Sequence, residues 1–407
     1  MAGLSAAVRL CRAGVAVSVH EAAKFAGGRC RSFEDDHLSA TIDNGTHLLL
    51  SGNEEVLDFL EITGGAQDVC MADRAAFDFY NVVDGARWCV DLGKGRGALT
   101  LLKWLHDKSR QPRGFSAFRF LKDLHALQAG GDKTVGACVK LGTPLYRNFW
   151  HPLTLAVLNA EPDIAPAKLL WAVMRKTVLR GGAYAKPIFA ADGLGAMLVD
   201  PALAYMQGCG VEVAFRRRAQ SIDLDGDAAR SITFAHAAEI LGDGDRIILA
   251  VPAYCVRDLL AGVDAPLDHQ AILNVHYRLS TSVDAPSMIG LVGGQCEWLF
   301  RHGCIASATI SGANAWMDRG AADIALQLWP EVAKVLGEAG DVPPYRVIKE
   351  KRATFVATPQ TPRASTCTSM SNVFLAGDWT DTGYPATLEG AVLSGRKAAE
   401  AVLSSMD

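Results

Sequence analysis

Residues 372–403 read NVFLAGDWTDTGYPATLEGAVLSGRKAAEAVL. The run Val373 to Ala376 is apolar and has the length of a buried strand, and Gly377 closes it. The loop that follows carries Asp378, Thr380, Gly383, Tyr384 and Pro385. From about Thr387 to Leu403 an alanine-rich helical pattern takes over. Strand, glycine–acid loop and helix N-terminus together make a place where backbone N–H groups hold a polar ring or a phosphate. Asp378 can accept hydrogen bonds from a sugar-like hydroxyl chain, and Gly390 and Gly395 let the helix lie close to a neighbour.

The other end of the chain reads as the matching half. In MAGLSAAVRLCRAGVAVSVHEA, residues 4 to 14 have helical spacing and end on Gly14, residues 15 to 19 alternate as a short strand, and Glu21 follows. In a dinucleotide-binding βαβ unit, an acid at the end of the second strand bonds the ribose hydroxyls, and the third glycine of G-x-G-x-x-G lets the helix pack on the sheet. Gly3 stands where that third glycine belongs. By this register the first strand and the first two glycines are expected upstream of Met1, and the chain as written is expected to bind its nucleotide poorly. Six residues after Glu21 comes Gly27-Gly28-Arg29, where two glycines allow backbone approach to a pyrophosphate and the arginine can neutralise it.

The bulk properties narrow the class. A chain of 407 residues can build two domains with full cores. Half the residues are apolar, 21% are charged and the net charge is −4, which argues against nucleic acid as the partner. The ten cysteines are scattered with no CxxC pair or metal-type spacing, so no metal site is expected. Scattered thiols and the lack of a leader pattern suit the cytoplasm, and no apolar run reaches the roughly 18 to 20 residues of a membrane span. No Ser–His–Asp arrangement stands out.

The end motifs, E-x5-GGR and AGDWTDTGYPATLEGAVLSG, resemble the FAD-dependent amine oxidase and phytoene desaturase superfamily. Within it, IDNGTHLLL (42–50), FWHPLTLAVLNA (149–160) and GDWTDTGYPATLEGAV are most similar to the hydroxysqualene dehydroxylases, also called squalene-associated FAD-dependent desaturases. The resemblance implies an α/β fold of amine-oxidase type: a Rossmann-like FAD-binding domain, here without its first strand, and an α+β substrate domain. Such FAD domains are discontinuous, which gives 1–85, 195–261 and 368–407 to the cofactor domain and 86–194 and 262–367 to the substrate domain. The resemblance assigns FAD to Gly3, Glu21, Gly27, Gly28, Arg29, Val213, Gly377, Asp378, Thr387 and Gly390. Val213, in GCGVEVAFRRRAQSIDLDGD, would meet the adenine through its backbone.

The implied reaction is reductive removal of an allylic hydroxyl from hydroxysqualene to give squalene, in squalene and hopanoid biosynthesis, with NAD(P)H as a candidate reductant. It needs a hydride from reduced flavin, an acid to help the hydroxyl leave as water, and a dry apolar tunnel. IDNGTHLLL should run past the flavin ring, so Asp43, Asn44 and His47 are expected near it. His47 is the residue that donates a proton most readily near neutrality, with Asp43 either its partner or an N-cap, and Tyr384 is a second donor. Trp150, His151 and Asn159 are expected to line one tunnel wall, with core packing as the competing reading. Between Lys94 and Lys122 eight Lys/Arg face one Asp, interleaved with Trp104, Phe115, Phe118 and Phe120. That composition suits either a membrane surface, on its inner face, or a solvated helix pair with aromatics turned to the core. A carotenoid-type desaturase, an amine oxidase and a non-catalytic remnant acting as a partner protein are the competing readings of the whole chain.

Overall fold

The computed structural model describes residues 1–406. Two short parallel ladders form its nucleotide-binding side. Val19–His20 pairs with Val213–Ala214, and Ile247–Leu249 pairs with Val373–Leu375. No strand among the described residues joins the two ladders, and Val15 to Ser18 stay outside any ladder. The strand expected over residues 15 to 19 is therefore reduced to its end, because the edge that would pair it on its other side is open.

Helices close the gap instead. Ala2–Arg12 and Leu388–Ser404 lie against one another, and the Ser5 hydroxyl donates to Val392 O at 2.8 Å. A Cβ at Gly395 would stand 2.2 Å from Ala2 O and 2.7 Å from Ser5 Cβ, so the close approach foreseen for this glycine is backbone against backbone. At Gly3 a Cβ would stand 3.0 Å from Ala250 Cβ, which is the tight helix–strand contact its place in the motif demands.

A five-stranded sheet forms the other side, in the order Trp298–Ile310, His269–Val292, Ala75–Asn81, Arg87–Gly93, with Tyr345–Phe355 also paired to His269–Val292. The hairpin Ala75–Asn81/Arg87–Gly93 straddles the expected boundary at 85/86. By sheet membership the change-over comes before Ala75. Pro187–Ala190 returns to pair with Leu49–Leu50 and Val69–Met71, which also places it with the first unit rather than the second. Helices Ala98–His106, Ala117–Gln128, His151–Leu158 and Ala167–Lys176 cover this sheet around a core of Trp104, Phe120, Phe149, Trp150 and Leu170.

Candidate active site

One cavity of about 2180 Å³ runs from the N-terminus of the first helix into the helix-covered sheet. Gly3, Glu21, Gly27, Gly28, Arg29, Val213, Gly377, Asp378 and Thr387 all line it. Each arrives by a local cause. The first helix ends on the cavity, so its free first-turn amides and positive dipole end face into it. Gly27 and Gly28 take φ of +89° and +62°, which side-chain-bearing residues rarely adopt. Arg29 Nη2 reaches Asp378 Oδ2 at 2.7 Å, tying the two end motifs together across the cavity. Thr387 caps the last helix by accepting from the Gly390 amide at 3.1 Å.

Gly390 is the exception among the expected cofactor contacts. It does not line the cavity; a Cβ there would stand 2.4 Å from Pro385 O, so its role is to let the loop fold back onto the helix.

Past the loop the lining turns apolar, with Phe77, Phe79, Phe149, Met288, Trp298 and Phe300 on the walls. Gly290 makes room for two of them, since a Cβ there would stand 2.4 Å from the Phe79 ring and 3.0 Å from Trp298. Of the residues expected on the tunnel wall, Asn159 lies there and Trp150 and His151 do not. The helical repeat explains the correction: Phe149, Leu153 and Val157, four apart, share the cavity face, which turns the next two residues away. Trp150 is fully buried, stacked on Phe120 (5.5 Å, 6°), with its Nε1–H donated to Asp123. His151 pairs with Glu161 at 3.1 Å near the surface. Asn159 is committed too: its Oδ1 accepts from Gly312 N at 2.7 Å and its Nδ2 donates to Thr354 Oγ1 at 3.0 Å.

The three residues expected at the ring separate in the same way. Asp43 stands off the cavity, where its carboxylate accepts from Ser32 Oγ at 2.5 Å and Leu194 N at 3.0 Å. Burial pushes its pKa up even so. It fastens two loops and does not hold His47. Asn44 is buried and bonds Glu350 at 3.3 Å. His47 lines the cavity, with its accessible surface facing that space, and its Nδ1–H donates to Gly45 O at 2.7 Å. Burial lowers its pKa, the Gly45 bond opposing. The ring is accordingly neutral at pH 7, and its free Nε2 is an acceptor, not the ready proton donor that an unperturbed histidine would be.

Tyr384 behaves differently. It is 5% exposed, lines the cavity, and its hydroxyl has no hydrogen-bond partner among the described residues. Leaving a buried hydroxyl unpaired costs about 1–3 kcal/mol, and the strain is stored beside the cavity. Burial holds its pKa above the ordinary phenol value, so it stays a donor. The Lys176 ammonium sits 5.1 Å from its ring centroid.

Sequence reading missed three contributors. Arg363 donates to the loop carbonyls of Asp378, Trp379, Thr380 and Tyr384. Glu389 accepts from Glu55 N and Val56 N, capping a neighbouring helix from the last one. Asn274 and Thr309 form a polar pair on the cavity wall at 2.8 Å. Only Glu389 had a local signal, an acid in the first turn of a helix; the others act across long sequence separations.

A nucleotide-motif end open onto an apolar chamber, on short parallel ladders and a five-stranded sheet built from interleaved segments, is the architecture of a flavin-dependent oxidoreductase. The chain belongs to the flavin-containing amine oxidoreductase family, whose pattern it matches over residues 1–403. It is 39% identical over 408 residues to the hydroxysqualene dehydroxylase of Rhodopseudomonas palustris, covering 100% of this chain and 97% of that one. A 15-cis-phytoene desaturase of Synechococcus elongatus is 33% identical over 103 residues, only 23% of this chain. The cyclohexylamine oxidase of Brevibacterium oxydans has the same fold, with a TM-score of 0.68 at 15% identity over 99% of this chain and 96% of that one. FAD is the cofactor of this class, and the unpaired Tyr384 hydroxyl, the open helix N-terminus and the glycine-lined turn fit it.

Proposed function

We propose that this chain is an FAD-dependent hydroxysqualene dehydroxylase, converting hydroxysqualene to squalene, a step suited to hopanoid biosynthesis. The observation that carries the reading is the continuity of the cavity: polar and glycine-lined at the nucleotide end, then walled by Phe77, Phe79, Phe149, Met288, Trp298 and Phe300 where a polyisoprenoid chain would lie. Full-length similarity at 39% identity to a named dehydroxylase supports it over the desaturase reading, whose matches here cover 23 to 52% of the chain.

Bound FAD supplies hydride chemistry to the site. Gly3, Glu21, Gly27, Gly28, Arg29, Val213, Gly377, Asp378 and Thr387 would hold it. The chain's own part is threefold. The aromatic walls exclude water, which would return a developing allylic cation to alcohol. The Tyr384 Oη–H donates its proton to the departing hydroxyl, which leaves as water. The neutral His47 Nε2 accepts a hydrogen bond and helps orient the substrate oxygen. NAD(P)H is the proposed source of electrons.

The test is product analysis: purified chain, FAD and NAD(P)H, without oxygen, offered hydroxysqualene or phytoene. Squalene from the first is expected. A desaturated product from phytoene, with hydroxysqualene untouched, would move the chain to the carotenoid-type desaturases.

The substrate's solubility also favours a membrane surface as partner. No described helix is long and apolar enough to cross a membrane. On Ala98–His106 and Ala117–Gln128, Leu99, Leu102, Phe118 and Leu121 are nevertheless exposed beside Lys103, Lys108, Arg113 and Lys122. Trp104, Phe115 and Phe120 turn inward instead, and Trp104 packs on cavity-lining Phe149 at 6.4 Å. Apolar tips set among cations match an anionic bilayer, one aromatic layer from the cavity. Flotation with phosphatidylglycerol vesicles, and its loss in Leu102→Glu/Phe118→Glu, is the expected behaviour; recovery of wild type and variant in the same fraction would refute it.

A further inference from the structure

Arg363 lies in TPRAST, a stretch with no regular structure between Tyr345–Phe355 and Val373–Leu375. The stretch runs antiparallel beside the flavin-side loop. Leu375 N donates to Thr366 O at 2.8 Å, Cys367 bridges Phe374, and Asp381 N donates to Ala364 O at 2.8 Å. That pairing aims the Arg363 side chain into the hollow of the loop 377–386.

There its guanidinium gathers nearly everything the loop turns inward. Nε donates to Trp379 O at 3.3 Å, Nη1 to Tyr384 O at 2.7 Å, and Nη2 to Asp378 O at 3.0 Å and to Thr380 O. Thr382 Oγ1 lies 3.5 Å from Nη2 and itself accepts from Tyr384 N at 3.2 Å. The ring of Phe355 lies 5.2 Å below the guanidinium. Among the described residues no carboxylate forms an ion pair with it; peptide carbonyls take the place of water. Burial pulls its pKa down from the ordinary value, Asp381 and Asp378 opposing, and it stays a cation at pH 7.

A half-buried cation solvated mainly by carbonyls is costly unless its geometry is well satisfied. A planar fork with five donors satisfies four carbonyls spread over seven residues, which a lysine ammonium with three donors cannot copy. Of the side chains that this loop places on the cavity, Asp378, Trp379 and Tyr384 all have their backbone carbonyls in Arg363's grasp. Arg363 itself does not reach the cavity.

We propose that Arg363 is a positioning residue for the reaction: by fixing the backbone of residues 378–384 from behind, it sets the places of the Asp378 carboxylate and the Tyr384 side chain at the cavity. The consequence for turnover rests on the dehydroxylase reading above; the consequence for the loop does not. Losing the guanidinium takes a donor from four carbonyls, of which Thr380 O alone keeps another, Thr382 N at 2.8 Å, so the loop samples other shapes while the strand and the capped helix on either side persist.

The test uses the full chain as wild type, Arg363→Lys, Arg363→Met, Tyr384→Phe and the double Arg363→Met/Tyr384→Phe. Hydrogen exchange is read by mass spectrometry, separately over 378–386 and 388–404. Expected is at least tenfold faster exchange in the loop of Arg363→Met, unchanged protection in the last helix, and partial recovery in Arg363→Lys. With FAD as titrant, the dissociation constant should rise about tenfold in Arg363→Met. With hydroxysqualene, the falls in kcat of Arg363→Met and Tyr384→Phe should not multiply in the double variant, because one acts through the other. Unchanged loop exchange in both Arg363 variants overturns the proposal. So does uniform loss of protection through the last helix in Arg363→Lys, which would make the residue a general stabiliser. A wild type that ignores hydroxysqualene while the loop result holds would instead remove the dehydroxylase reading and leave the positioning role standing.

Discussion

The two ends of the chain meet at the cofactor side of the cavity, and they are finished to different degrees. At the C-terminal end every step is closed. The strand Val373–Leu375 has its parallel partner, Gly377 N donates to Ser394 Oγ at 2.9 Å, Arg363 holds the loop, and Thr387 caps the helix. At the N-terminal end, Val19–His20 has one partner, and its other edge faces the groove where the second ladder begins. A sheet normally carries such a join through strand hydrogen bonds. Here two helices carry it, through the Ala2–Gly395 approach and the Gly3–Ala250 contact. The comparison teaches that the halves of this site are coupled by close packing more than by a ladder.

The sharpest way to break that coupling is at Gly395. A valine there has no rotamer that relieves a Cβ 2.2 Å from a backbone oxygen, so the helices must part. Overpacking costs about 1–3 kcal/mol where side chains can shift and more where backbone must. Gly395→Val should lose about 3 kcal/mol or more in urea unfolding, and an unchanged midpoint would show that the ladders hold the halves without the helices.

Glu389 sharpens the comparison by tying the finished end to a third helix, Glu54–Thr63, through two backbone amides. Burial raises its pKa to about 7, the two bonds pulling the other way. The folded value therefore lies above the ordinary carboxylate value of about 4.3. A group of this sign binds its proton more tightly in the folded state, so its contribution is full below the unfolded pKa and is lost as pH rises to 7. The loss is at most about 4 kcal/mol. Glu389→Gln should flatten stability between pH 4.5 and 7 whatever the lost caps cost, since their loss only displaces the curve; a variant that keeps the wild-type slope would show that Glu389 is not the titrating group.

The open edge makes the next prediction. A variant carrying an added hydrophobic strand and a G-x-G turn ahead of Met1 has a groove to enter between Val15–Val19 and Ile247–Leu249. It should bind FAD at least about tenfold more tightly than the 407-residue chain, a gain of about 1.4 kcal/mol. Visible absorbance of the two purified forms reads it directly. Equal flavin content would mean that Glu21, Arg29 and the Asp378 loop already hold the cofactor.

How much of this was legible from the sequence depends on the range of the contacts. Gly3, Gly27-Gly28-Arg29 and the Asp378 loop are marked by the residues beside them, even though Gly3 meets Ala250 and Arg29 meets Asp378 far along the chain. The helix after Phe149 was legible as a helix but not in its orientation. FWHPLTLAVL is apolar on every side, so only the stacking of Trp150 on Phe120 decides which face meets the cavity. Asp43 looked like a partner for nearby His47, yet Leu194, 151 residues away, takes its carboxylate. Arg363 sits among threonine, proline and serine with nothing around it to mark it, and its meaning lies in a loop 15 to 21 residues further on.

The smallest expected effect tests the ion pair between the two end motifs. Arg29 and Asp378 meet at 2.7 Å, but the arginine side chain is 43% exposed, so solvent screens the pair. Exposed pairs of this kind contribute about 0–1 kcal/mol. If close helix packing joins the halves, Asp378→Asn should change the stability of the FAD-free chain by less than about 1 kcal/mol, in low salt and in high salt alike. FAD affinity should fall in the same variant, because the carboxylate is lost as an acceptor for the cofactor's hydroxyls. A stability loss well beyond 1 kcal/mol, shrinking as salt is added, would reverse the comparison: the ion pair would then be a structural tie that the open N-terminal half depends on, and the cofactor would have to break it to bind.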